Sequence, residues 1–339
     1  IDEAGNIRPT IISSLFTAAL EAKKGGSKVL LVTSGAVGLG RREFAGSNPA
    51  RAVAGGVGQA QLIAEYVTMA KEFNITISQI LLSRPHFLER EHFLTMQTLI
   101  RQMCSAGVIP IINENDALVA DTDWSFGDND SLSATLSVSL GAKELILITH
   151  IDGLFTDDPR RDPGAKLITE ADDINRELMK YCSDTVSANG RGGMLSKLKA
   201  ARICTNAGVA VRIVNGLADG ALLGAIRGEA VGTFCKPRIR TRSLSNLERW
   251  IIVAKSSAAT IQVDDGAVAA LRQRKSLLAV GIRKLFGSFA AGESVEVVDK
   301  NNDGVAFGIV DASAEDLLAH QFCDQHGAQV MHANSIIVF

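Results

Sequence analysis

Between residues 11 and 232, short runs of β-branched and other apolar residues alternate with longer segments whose apolar residues recur at three- and four-residue spacing. Few folds accept that alternation. Parallel strands need a crossover of a dozen or more residues, usually a helix, and the helices then cover both faces of the sheet. The predicted strands are 28–33, 75–82, 108–113, 144–149 and 209–214, and the predicted helices are 59–71, 92–106, 130–140 and 195–207. We therefore expect an α/β unit with a mainly parallel sheet sandwiched by helices.

Beyond residue 232 the pattern changes. The basic stretch 236–242, interrupted by Pro237, reads as a linker, and residues 249–254 read as a short strand. Short alternating runs at 260–263, 294–298, 305–310 and 335–338, punctuated by glycines, point to a small β-barrel. With 339 residues there is enough chain for two cores. The expected division is 1–240 for the α/β unit, 241–258 for the linker and 259–339 for the β-rich unit.

Charge and cysteine usage narrow the function classes. A formal net charge of −2 provides no global attraction to nucleic acid or to an anionic membrane. Apolar runs such as 109–112 and 144–149 fall far short of the roughly 20 residues that span a bilayer. The five cysteines, Cys104, Cys182, Cys204, Cys235 and Cys323, form an odd set without CxxC spacing. They suggest neither a disulfide framework nor a zinc site, and they suit a reducing cytoplasm. His86 and His92 lack metal-ligand spacing, so no protein-held metal is expected. The first ten residues do not read as a signal peptide, and the chain starts without Met, so residues are expected to precede Ile1.

In open α/β sheets, ligands collect at the carboxyl ends of strands. After the first predicted strand come Ser34 and Gly35, where a hydroxyl and a glycine let a substrate carboxylate approach the backbone. Ser34 has no evident His/Asp partners for nucleophilic catalysis. After 108–113 come Glu114, Asn115 and Asp116, and then Gly127-Asp128-Asn129-Asp130 opens a helix. Amides and acids together suit an amino-acid zwitterion. The competing reading is an ordinary helix cap by Asp128 or Asn129.

Two further loops are candidates for the nucleotide. Residues 150–159 could hold one, although Asp152-Gly153 and Asp158-Pro159 are common surface turns. Residues 188–197 combine Gly190, Gly192 and Gly193 with Lys197 entering a helix, which places N–H groups and a cation around phosphates. The order required of a P-loop is absent. Gly55-Gly56-Val57-Gly58 either touches an anion or permits tight packing.

These residues carry a resemblance. The ordered set Thr33-Ser34-Gly35-Ala36, Ile112-Asn113-Glu114-Asn115-Asp116-Ala117 and Phe126-Gly127-Asp128-Asn129-Asp130-Ser131, then Gly153-Leu154-Phe155-Thr156 and Gly192-Gly193-Met194 with Lys197, is similar to the amino acid kinase family. Val263-Asp264-Asp265-Gly266-Ala267 extends the likeness to nearly the whole chain. The branch it resembles phosphorylates the side-chain carboxylate of glutamate at the start of proline biosynthesis.

The resemblance implies that Ser34, Asp116 and Asn129 bind glutamate, and that Lys197 and Asp130 are the catalytic pair. Lys197 would stabilise the transferring phosphoryl group while Asp130 holds the cations around it. ATP would lie against Thr149, His150, Arg191, Gly192, Gly193, Met194, Leu195, Ser196 and Lys197, with Mg²⁺ carried by its phosphates. Proline is the implied feedback inhibitor, and a homo-oligomer the implied assembly. Two departures stand out: nothing before residue 11 supplies the family's opening strand with its Lys and Gly-rich turn, and His150 follows Thr149 where Asp is usual. From about residue 259 the chain is similar to a PUA domain, compressed between 316 and 331. There Arg272, Arg274, Lys275, Arg283 and Lys284 are either RNA contacts or a solvated face. The competing functions are a sister kinase acting on another carboxylate or carbamate, and an RNA-binding accessory protein.

Overall fold

The computed structural model describes residues 7–44, 47–119, 122–175, 178–179, 181, 193–319 and 327–339. The first part comprises α1 (Pro9–Lys24), β1 (Leu31–Val32), α2 (Ala36–Arg42), α3 (Arg51–Glu72), β2 (Ile77–Leu82), α4 (Pro85–Leu88), α5 (Arg90–Ser105), β3 (Ile109–Glu114) and α6 (Asp116–Val119). Next come α7 (Asn129–Leu140), β4 (Glu144–Thr149), β5 (Leu154–Phe155), β6 (Leu167–Ile168), β7 (Glu170–Ala171), α8 (Met194–Asn206), β8 (Ala210–Asn215), α9 (Ala221–Arg227) and β9 (Thr233–Cys235).

The predicted strands pair in two sheets. One is wholly parallel, in the order β1-β3-β2. The other runs β4-β8-β9-β7 and is parallel except between β8 and β9. Every residue of β3 is buried, which explains why Ile109, Ile111 and Ile112 form a continuous apolar run instead of alternating. Ile109 and Ile111 pack with Phe16, Leu39, Leu62 and Tyr66 of α1 to α3. Ile112 packs on the other side with Phe93 of α5 and with Leu132 and Leu136 of α7. In the second sheet Leu147, Val211 and Ile213 meet α7 and α8, while Ile146, Ile148 and Val214 meet α9 and α1. Both sheets are thus covered on both faces. Their edge strands β1 and β4 border one cavity of about 1870 Å³.

Helix α3 starts at Arg51, eight residues before the predicted start at 59. Gly55, Gly56 and Gly58 lower its intrinsic propensity, yet Ala54, Gly58, Leu62, Tyr66 and Ala70 form one buried stripe at four-residue spacing. A Cβ at Gly58 would overlap the carbonyl of Ala36, so Gly58 is where α3 touches α2, while Gly55 and Gly56 face Asp116 and Ala117 of α6.

The last part holds α10 (Asn246–Val253), β10 (Lys255–Val263), α11 (Asp265–Arg272), β11 (Leu277–Leu278), β12 (Ile282–Phe286), β13 (Ser294–Val298), β14 (Gly304–Ile309), α12 (Ala314–Ala319), β15 (Gln329–Met331) and β16 (Ile336–Val338). The expected strand at 249–254 is instead helical. Its Trp250-Ile251-Ile252-Val253 run favours a strand locally, but Ser245 and Glu248 form a reciprocal capping box that starts a helix. Ile251 and Ile252 then sit in the main core beside Phe307 and Ile337. The expected barrel is a five-stranded sheet, β12-β10-β13-β14-β16, with a separate β11-β15 ribbon; the pairing does not close among the described residues. No helix among them is long and apolar enough to cross a membrane.

Candidate active site

The Gly127 to Asp130 segment divides its labour by geometry. Gly127 takes a left-handed backbone (φ 83°), which turns the chain into α7. Asp128 is the N-cap, accepting the Ser131 N–H at 2.7 Å. Asn129 and Asp130 are therefore left free of capping. Leu132 and Leu136, fully buried, anchor the helix behind them. The Asn129 Oδ1 is buried without a hydrogen-bond partner among the described residues. Such an acceptor costs roughly 1–3 kcal/mol unless a donor reaches it.

Asp130 is engaged from both sides. Its Oδ1 accepts from Lys197 Nζ at 2.8 Å, and its Oδ2 lies 2.6 Å from the Ser196 hydroxyl, which is also 2.8 Å from the Gly193 carbonyl. The Lys197 and Asp130 side chains are 15% and 14% exposed, so the pair is largely sheltered from water. Close packing of α7 on α8 through Ala134, Val138, Leu198, Ala200 and Ala201 brings the two residues together. Gly193 caps α8 without a side chain, so the first-turn N–H groups stand open to an anion.

Ser34, Asn129, Asp130, Thr149, His150 and Lys197 all line the large cavity. A smaller one of about 180 Å³ is lined by Thr149, His150, Phe155, Gly193, Met194 and Lys197, among others. Its wall includes Asp158, whose carboxylate accepts Arg160 Nε at 3.0 Å and Nη2 at 2.9 Å. That guanidinium holds the Asp158 carboxyl down to about 2. Asp158 belongs to the 150–159 segment that the sequence offered as a nucleotide loop or a surface turn, and Arg160 lies just beyond it.

Other predicted residues lie elsewhere. Asp116 does not line either cavity; its Oδ1 faces Arg51. Leu195 packs against the main core. Arg191 and Gly192 lie outside the described residues. Glu114, grouped from the sequence with Asn115 and Asp116 as a candidate for the substrate, is turned inward. This 3% exposed carboxylate accepts the Phe126 N–H at 2.5 Å and the Ser125 hydroxyl at 3.1 Å, tying the end of β3 to the loop that opens α7. Burial pushes its carboxyl up, against those two hydrogen bonds. Among the described residues, no three His, Cys, Asp or Glu side chains cluster as metal ligands would. Cys204 and Cys235 are buried, and burial raises both thiols, Cys235 to about 12, which disqualifies them as nucleophiles.

A carboxylate-held lysine at the joint of two helix N-termini, beside a cavity at the carboxyl end of β4, suits transfer of an anionic group. Comparison with known proteins agrees. The amino acid kinase family matches residues 2–215, and the PUA domain matches residues 259–332. The chain therefore belongs to the amino acid kinase family.

Within that family it belongs with the glutamate 5-kinases. It is 36% identical to the glutamate 5-kinase of Vibrio parahaemolyticus over 338 residues, covering 94% of this chain and 87% of the relative. It is 35% identical to that of Geobacter metallireducens over 353 residues, covering 99% and 94%.

Proposed function

We propose that this protein transfers the terminal phosphoryl group of ATP to the γ-carboxylate of glutamate, giving glutamyl 5-phosphate and ADP in the first step of proline biosynthesis. The observation that carries this reading is the Asp130–Lys197 pair between α7 and α8, in a chain related throughout to glutamate 5-kinases.

The γ-carboxylate attacks the terminal phosphorus in line. The bond from that phosphorus to the bridging oxygen breaks, and its electron pair leaves on ADP. A carboxylate is already a nucleophile at neutral pH, so no general base is needed. Catalysis then rests on positioning and on charge. Lys197 is assigned to the oxygens of the transferring group, whose negative charge spreads in the transition state, and Asp130 keeps the ammonium aimed.

Ser34 and Asn129, which line the large cavity, are assigned to glutamate, and Asp116, outside both cavities, is assigned with them on the family likeness. The Asn129 Oδ1, which has no partner among the described residues, supports this, because the α-ammonium of an amino acid supplies a donor. ATP is assigned to the smaller cavity, with its phosphates toward Gly193, Ser196 and Lys197. Mg²⁺ would add charge neutralisation on the phosphates; both oxygens of Asp130 are engaged by Ser196 and Lys197, so the phosphates themselves would carry the ion. Feedback by proline, a homo-oligomeric assembly and a cytoplasmic location accompany this reading.

The test is a coupled ADP-release assay with glutamate, aspartate, N-acetylglutamate and carbamate, run beside Asp130→Ala and Lys197→Ala. Glutamate-dependent turnover that falls in both variants is expected. Turnover independent of glutamate, or equal in all three proteins, would refute the assignment.

A further inference from the structure

We propose that Arg51 is a positioning residue for the amino-acid substrate, acting through Asp116 and setting the preference for a substrate with an α-ammonium group; this rests on the glutamate-kinase reading above. Arg51 opens α3 and reaches across to α6, where its Nε and Nη2 lie 3.2 and 2.9 Å from Asp116 Oδ1. Both bonds fall on the same oxygen. Oδ2 accepts no hydrogen bond among the described residues and stays available to a cation. The side chains are 21% and 10% exposed, so water screens this pair less than an open surface pair. A planar guanidinium, always charged, fixes the direction of the carboxylate it grips, whereas a lysine ammonium is a point charge with no preferred plane.

The surroundings make Asp116 depend on α3. A Cβ added at Gly55 would lie 2.5 Å from the Asp116 Cβ, so only a glycine lets α3 approach this closely. Asn113, at the end of β3, donates Nδ2 to Gln59 of α3 at 2.7 Å. Gly58 meets the Ala36 carbonyl at the start of α2, two residues beyond Ser34. Thus α3 joins the Asp116 and Ser34 loops in one body, while Lys197 and the open N–H groups belong to α8. Glu114 also feels Asp116 as a repelling charge and Arg51 as an attracting one. Without Arg51, the repulsion between Asp116 and Glu114 would lose this nearby positive charge.

The experiment is steady-state kinetics of the full-length wild type, Arg51→Ala and Arg51→Lys, with glutamate as substrate and glutarate, which lacks the α-amino group, as competing inhibitor. In Arg51→Ala the glutamate KM should rise about tenfold or more, with partial recovery in Arg51→Lys. The ATP KM and the glutarate inhibition constant should stay within about twofold of wild type. Weakening shared by glutamate, glutarate and ATP would mean a merely structural role and overturn the proposal, as would an unchanged glutamate KM. A wild type that phosphorylates no glutamate would remove the underlying kinase reading as well. Should Arg51→Ala fail to fold, Arg51→Lys is compared with and without Asp116→Asn: a lysine effect that vanishes in the Asp116→Asn background supports action through Asp116, and an undiminished effect refutes it.

Discussion

Asp130 Oδ1 accepts a 2.8 Å hydrogen bond from Lys197 Nζ and so joins the first turns of α7 and α8 across 67 residues of sequence. Removing either partner leaves a largely sheltered group of one sign unmatched. Asp130→Ala and Lys197→Ala should each lower kcat on the order of 10²- to 10³-fold. The double variant should be little worse than the weaker single one, because the two side chains act as a unit. Multiplicative losses in a double-mutant cycle would show independent roles.

Glu114 supplies a pH test. Burial raises its folded pKa above the unfolded value of about 4.3. The folded state therefore holds the proton more tightly, and this contribution is fully present below the unfolded value and lost as pH rises through the folded one. Glu114→Gln lacks that titration. The urea midpoint of wild type relative to Glu114→Gln should decline as pH rises from below about 4 toward neutrality. A constant difference across that range would contradict the raised value.

Asp158 should behave in the opposite sense. Its carboxyl is held at about 2 by Arg160, below the unfolded value of about 3.9. The stabilisation is present above the unfolded value and lost as pH falls toward the folded one. Thermal midpoints of wild type and Asp158→Asn should therefore converge on acidification through that window. Parallel acid profiles would show that the Arg160 pair does not matter to folding.

The last sheet meets the α/β unit through two kinds of contact, and their magnitudes differ. Ile251 of α10 is fully buried among Phe307 and Ile337, whereas Arg202 of α8 lies 3.8 Å from Glu296 of β13, with side chains 29% and 14% exposed. Ile251→Ala should cost about 2–5 kcal/mol in chemical unfolding, and Arg202→Ala at most about 1 kcal/mol. The reverse order would make the ion pair the stronger tie.

Much of the fold was legible because burial imposes a period on sequence. The strands at 75–82, 108–113, 144–149 and 209–214 appear within two residues of their expected limits, as do the ends of the helices that cover them. The misreadings share a cause. In α10 a capping box outweighed strand-forming side chains, and in α3 contact with α2 outweighed glycine propensity. Each depends on neighbours that local preference does not report.

Gly127 to Asp130 marks the same division within the site. Its acids and amides, and their likeness to a kinase family, could be read from the chain, because residue type sets which hydrogen bonds a group can make. Spacing alone left open whether Asp128 or Asn129 capped the helix. Three-dimensional packing assigned the cap to Asp128, brought Lys197 onto Asp130 and left Asn129 Oδ1 without a partner among the described residues. It also placed Arg51 on Asp116 and Glu114 beneath the loop. Beyond the local cap, those pairings join residues 12 to 67 positions apart, and their distances follow from how buried helices and strands stack rather than from any local pattern.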